Sequence, residues 1–206
     1  MKTAYKLTDL EMKTHKGFQW ELGKWYETTG EGKFCSPGWF HFYSDPLVGL
    51  FMNPIHANIK NPRLFRAEVE GNFIDDNGLK CGYSRARLIE ELPVPQISPV
   101  QRVRFAILCA KEVYKEKEWN EWADNWLLGK DRTEESATIT ESAAIAAESA
   151  AESAFYAVRS ATIAFYAAKN AESAAKSAVS AAFAVKITTK NKKIDLIRIA
   201  QKAMEE

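Results

Sequence analysis

The chain has 206 residues, enough for two modest hydrophobic cores, and carries 28 Lys and Arg against 27 Asp and Glu, a net charge of +1. That balance excludes a global field drawing it to nucleic acid or to an anionic membrane, so neither is expected as a partner. Three cysteines, Cys35, Cys81 and Cys109, show no CxxC spacing, the N-terminal stretch lacks an apolar export region, and no apolar run reaches the roughly 18 residues of a membrane span, which predicts a cytoplasmic protein with free thiols.

In chain order, short β-prone runs come first: Thr3–Thr8, Phe18–Trp20, Lys24–Glu27, Trp39–Tyr43, Arg63–Glu70 and Lys80–Glu90. Turn residues punctuate them at Gly23, Gly30 and Gly32, Pro37-Gly38, Asn61-Pro62 and Asp75-Asp76-Asn77-Gly78. The runs Arg63–Glu70 and Lys80–Glu90 read as a hairpin. Between Trp39–Tyr43 and that hairpin, Ser44-Asp45-Pro46 reads as a helix start, with Ser44 as N-cap and a short helix over Leu47–Met52. The first region, residues 1–92, is therefore an α+β domain with a small, aromatic-rich mixed sheet.

Leu92-Pro93-Val94-Pro95 forms a stiff extended connector, because each proline fixes φ and restricts the residue before it. All seven prolines lie at or before Pro99 and the last glycine is Gly129, so the remainder of the chain reads as helical. Residues 93–130 hold the connector and a helical pair. Ser98-Pro99-Val100-Gln101 is a capping box that opens a helix from Pro99 to about Glu116. The second helix, Trp119–Leu128, stacks Trp119, Trp122 and Trp126 on one face, a spacing that reads as core, with Gly129 as its C-terminal stop.

Residues 131–206 carry the clearest repeat. In sevens from Ala143 the chain reads AAIAAES, AAESAFY, AVRSATI, AFYAAKN, AESAAKS, AVSAAFA, with alanine at the first and fifth position of every unit. Two small positions four apart in a seven-residue period make a coiled-coil seam, read at Ala147, Ala154, Ala161, Ala168 and Ala175 as an oligomer interface or helical bundle. A final helix, Ile194–Met204, closes the chain.

Candidate chemistry sits in the first region. A strand over Trp39–Tyr43 points Trp39, His41 and Tyr43 one way and Phe40 and Phe42 the other. Two readings stand: the polar-tipped rings satisfy each other at a sheet edge, or they line a shallow pocket that stacks a planar ligand such as a nucleobase. Glu68 and Glu70 share a face and Arg85 lies on the next strand; they form either a cross-strand ion-pair ladder or the carboxylate and cation of that ligand site. A nucleophilic Cys35 with His41 as base is disfavoured by their nearness in one strand. There is no glycine-rich phosphate loop, no nucleophile elbow and no zinc-ligand spacing, so no catalytic residue, metal ligand or cofactor is assigned.

The runs Tyr5-Lys6, Lys16-Gly17-Phe18-Gln19-Trp20-Glu21-Leu22-Gly23-Lys24-Trp25-Tyr26, Gly38-Trp39-Phe40-His41-Phe42 with Asp45-Pro46-Leu47, and Phe65-Arg66-Ala67-Glu68-Val69-Glu70-Gly71 together resemble an uncharacterised domain common in tailed phages and prophages. The alanine-rich second half resembles tails found with that domain. No established activity comes with this resemblance; taken with the aromatic strand and the absence of catalytic motifs, it leads us to expect a phage-encoded binding protein in the host cytoplasm that counteracts defence by sequestering a nucleotide-like small molecule or a host defence protein. A fainter similarity links Gly38–Tyr43 and the helix after it to ADP-ribosyltransferase-like folds. It implies an enzyme using NAD, with Tyr43 stacking nicotinamide and Glu68 or Glu70 holding ribose. A third reading is a structural or scaffold phage protein.

The repeat generates its own test. An alanine seam buries little apolar area in an isolated helix, so it implies a homo-oligomer formed through Ala143–Ala184. Replacing Ala154, Ala161 and Ala168 with glutamate places charge in the seam and should dissociate the assembly. Light scattering decides: a wild-type mass of one 23.2 kDa chain at micromolar concentration would mean that the repeat packs internally.

Overall fold

The computed structural model describes residues 1–76, 78–133, 135–136 and 194–205. The alanine heptads, including Ala147, Ala154, Ala161, Ala168 and Ala175, lie outside the described residues. The chain divides into two units, Met1–Gln96 and Ile97–Glu206.

The N-terminal unit contains β1 (Lys2–Thr8), β2 (Lys13–Thr14), β3 (Phe18–Gln19), β4 (Tyr26–Glu27), β5 (Phe40–Phe42), α1 (Pro46–His56), β6 (Arg63–Asp75) and β7 (Cys81–Leu92). Its backbone is the hairpin β6–β7, longer at both strands than the sequence suggests. Alternation builds it: Phe65, Ala67 and Val69 of β6 and Ala86 and Leu88 of β7 turn inward, joining Ala4, Trp20 and Phe42 in one core. β1 pairs with the other side of β6, while β4 and β5 follow one another along the outer edge of β7. All these ladders are antiparallel. The expected mixed character of the sheet reduces to a parallel bridge between Leu22 and Leu88.

Two register shifts, at Arg66/Ala67 and between Glu70 and Phe73, bend the hairpin; Gly71, at φ +80°, supplies the left-handed residue of the second. The bent sheet curls until its edges meet. Tyr5 and Tyr43 exchange backbone hydrogen bonds of 2.8 and 2.9 Å, which joins β1 to the end of β5 and nearly closes a barrel.

α1 packs against β1. Its N-cap is Asp45 rather than Ser44: the Asp45 carboxylate accepts from the N–H groups of Leu47 and Val48 at 2.8 and 3.2 Å, with Pro46 in the first turn. The helix also outlasts the expected Met52 and passes Pro54, because the proline removes one donor only and Ala57 still donates to the Asn53 carbonyl at 3.0 Å. Gly49 faces Tyr43; a Cβ there would stand 2.9 Å from the ring, so glycine lets the helix sit this close.

The second unit is built from α2 (Pro99–Val113), α3 (Lys117–Leu127) and α4 (Leu196–Met204). The capping box forms as read, Ser98 Oγ accepting from Gln101 N–H and the Gln101 side chain accepting from Ser98 N–H. Trp119, Trp122 and Trp126 are buried, and Gly129 takes φ +72° after the α3 C-terminus. α2 packs on both other helices. Its Arg104, only 8% exposed, donates to the Leu127 carbonyl at 2.9 Å and the Lys202 carbonyl at 3.4 Å, so one guanidinium serves the last turns of α3 and α4.

The α1 cap is testable. Asp45→Ala should lower stability by about 1 kcal/mol, read as a reduced urea midpoint with unchanged slope; no shift would mean that water replaces the carboxylate at no cost.

Candidate functional site

The barrel has one weak seam. Continued beyond the Tyr5–Tyr43 bridge, the register would set Leu7 of β1 against His41 of β5. No such bridge forms. The edges part, and the His41 carbonyl that should meet a backbone N–H is taken by the Lys6 ammonium at 2.6 Å. Where the strands part, a cleft of about 780 Å³ opens.

Six of its 21 lining residues are Phe, Trp or Tyr, with Phe18, Trp20, Phe40 and Phe42 among them. These rings interlock edge to face, Trp20 lying 5.3 Å from Phe40 and 6.0 Å from Phe42. The Trp20 indole N–H is anchored on Thr14 Oγ1 at 3.1 Å. The titratable side chains in the wall are Lys6, Lys16 and Lys80, then His15, His41 and His56, then Cys35 and Tyr43; among the described lining residues there is no aspartate or glutamate.

Lys6 is the most perturbed of them. Its stem follows Ala4 onto the inner face of β1, and its ammonium lies 5.0 Å from the Phe42 ring centre and 5.4 Å from that of Trp20. Burial pushes its pKa down to about 7, with the charge of Lys80 acting the same way and Cys81 opposing. A substantial fraction of Lys6 is thus neutral amine at physiological pH. Burial, followed by the charges of Lys6, Lys80 and His15, pushes His41 down to about 4, against a small opposing effect of Asp76, so its imidazole is neutral. His41 Nε2 accepts the Cys35 N–H at 3.2 Å, which places the ring proton on Nδ1. Cys35, held at φ +68°, receives the Lys80 ammonium on its sulfur at 3.1 Å. Tyr43 stacks on His56 at 5.8 Å with its hydroxyl 3.1 Å from Nδ1, and burial raises its phenol above the ordinary range.

The six residues read from the sequence as a ligand site do not come together. Trp39, His41 and Tyr43 line the cleft, although Trp39 and Tyr43 are only 9% and 8% exposed, and Trp39 spends its indole N–H on the Gly32 carbonyl at 3.2 Å. Glu68, Glu70 and Arg85 do not line it. Because Ala67 and Val69 turn inward, the glutamates turn outward and meet β7 in an ion-pair ladder. Glu68 pairs with Arg87 at 2.6 Å, and Arg85 pairs with both Glu70 and, at 2.6 Å, Glu27. Trp25 covers the ladder, 4.2 Å from the Arg85 guanidinium and 4.8 Å from that of Arg87. A ribose-holding glutamate beside Tyr43 is therefore not formed. Conversely, Lys6, His15, Lys16, Trp20, His56 and Lys80 line the cleft without having been read from the sequence as ligand residues.

Among the described residues no group of three His, Cys, Asp or Glu side chains could hold a metal ion, and no helix is long and apolar enough to cross a membrane. Residues 2–99 match the model of a domain of unknown function, DUF7666. No curated protein and no solved structure matches the chain.

The depressed Lys6 pKa fixes a sign. Between about pH 7 and the ordinary lysine value of 10.5 the unfolded chain binds the proton that the folded one releases, so this group's contribution to stability rises with pH across that window. Lys6→Met removes the burial cost and should be more stable than wild type at pH 7, with the difference shrinking as pH approaches 10.5. Urea midpoints across that range test this; a difference that stays constant with pH would refute the buried-amine assignment.

Proposed function

We propose that the N-terminal unit is a binding module that captures a planar, anionic, nucleotide-like small molecule in the seam cleft and acts by sequestration. The observation that carries this reading is the composition of the cleft, with the exposed Phe18 and half-buried Phe40 rings, three lysines and no carboxylate among the described lining residues. Stacking on aromatic faces contributes about 1–3 kcal/mol per base and tolerates any base, while lysines meet phosphate as point charges. A carboxylate in the wall would repel such a ligand. The volume, about 780 Å³, lies within the range of small-molecule sites. The likeness of the first ninety or so residues to a phage domain suggests the setting: removal of a nucleotide signal would blunt a defence response in an infected cell. Oligomerisation through the alanine heptads would gather several such clefts in one particle.

Titration with trinitrophenyl-ATP, read by its fluorescence and reversed by ATP, tests the proposal. Saturable binding is expected, and Lys16→Ala with Lys80→Ala should weaken it by about tenfold or more, since two charge-assisted contacts are lost. An absence of saturable binding at millimolar nucleotide, or binding that ignores the double substitution, would overturn it. Release of nicotinamide from NAD would instead return the protein to the enzymes.

A further inference from the structure

Sequestration by stacking and charge does not explain why an amine is buried at the seam. A neutral donor such as glutamine at position 6 could serve the His41 carbonyl without the cost of desolvating a charge. The His41 carbonyl is one partner of Lys6, and an ammonium carries three donors.

We infer that Lys6 is a covalent capture residue, whose amine condenses reversibly with a planar, anionic aldehyde or ketone seated in the cleft. This deepens the binding reading and rests on it, naming a carbonyl as the part of the ligand that meets Lys6. The geometry points to it in three ways. Lys6 lines the cleft and is half-buried rather than sealed in the core. Its nitrogen is steered by the hydrogen bond to His41 O at 2.6 Å, which fixes one N–H and holds the amine beside the Trp20 and Phe42 rings. Lys16 and Lys80 line the same cleft and can hold an anion, and the His41 beside them is neutral.

The chemistry balances without any further reagent. The nitrogen lone pair forms a C–N bond to the carbonyl carbon, both amine hydrogens leave with the carbonyl oxygen as water, and a C=N bond remains; hydrolysis reverses it. The reaction needs the unprotonated amine, and the depressed pKa of Lys6, about 7, supplies it at neutral pH where an exposed lysine is almost wholly charged. Besides burial, the groups that set this poise are Cys81 at the start of β7 and Lys80 just before it; neutral His41, with His15 and Lys16, lines the same cleft. Only Cys81 acts to raise the Lys6 value, and burial pushes the Cys81 thiol up to about 12, so it stays neutral when Lys6 titrates.

Pyridoxal 5′-phosphate is a suitable probe, because it joins an aldehyde to a planar ring and a phosphate. The full-length protein is mixed with the probe, treated with borohydride to reduce any imine to a stable secondary amine, digested and mapped by mass spectrometry. Lys6 should be labelled about tenfold faster than exposed lysines such as Lys2 and Lys24 in the same sample, as expected of a desolvated amine. Its labelling rate should level off above about pH 7, while that of the exposed lysines keeps rising. Lys6→Met should lose the dominant adduct and keep slow surface labelling. Pyridoxine 5′-phosphate, which has an alcohol in place of the aldehyde, separates the two ideas. If it binds saturably while Lys6 is labelled no faster than the surface, the covalent inference is wrong and the binding reading stands. If neither compound binds and Lys6 is unlabelled, both fall.

Discussion

The N-terminal unit depends on an incomplete closure. Five strands of a bent antiparallel sheet come round until one residue pair, Tyr5 and Tyr43, exchanges backbone hydrogen bonds. A longer seam would seal the barrel and fill its interior, as small barrels are filled. Instead β5 is three residues long, the strands separate at the next step, and a side chain replaces the missing backbone donor. That substitution explains the rest of the site: Lys6 must reach inward to serve the His41 carbonyl, its charge is thereby set among aromatic rings, and a cleft is left where a rung should be. The bulge at Gly71 and the close approach of α1 at Gly49 belong to the same construction, since one bends the hairpin and the other holds Tyr43 in place.

The helical unit obeys simpler rules. Its cap, its buried tryptophan face and its glycine stop all arise from spacing along one helix, and each was legible because the signal is local. The α+β character and the β6–β7 hairpin were legible for a similar reason: Phe65, Ala67 and Val69 alternate with Arg66, Glu68 and Glu70, and the turn residues sit between the runs. The ion-pair ladder was legible as one of two readings, because cross-strand charge pairing is dictated by register.

The cleft was not legible, and the reason is physical. It is assembled from β1, the 3-10 turn His15–Gly17, β5, the end of α1 and Lys80, segments distant in sequence that meet only when the sheet curls. Alternation predicts which way a side chain points from a flat strand, yet around a sharply curved edge both Trp39 and Phe40 can border one cavity. A lysine in a strand reads as solvent-facing, and nothing within Thr3–Thr8 shows that both faces of β1 will be covered. His15 and His56 likewise carry no local signal, because their neighbours in the cleft come from elsewhere in the chain.

The seam also has a consequence for motion. β1 is tied along its full length to β6 but to the β5 edge only through the Tyr5–Tyr43 backbone pair and the Lys6–His41 hydrogen bond, so the least costly way to open the barrel is to part these two links while every other ladder stays intact. The two tyrosine amides then report on one local equilibrium, and their hydrogen exchange would run together, faster than that of the β6–β7 amides. Anything that fills the cleft touches both sides of this opening, Lys6 and Leu7 on one and His41 and Tyr43 on the other. Occupancy of the cleft and closure of the barrel are therefore linked through one free energy, and protection of those two amides measures it without knowledge of the ligand's identity.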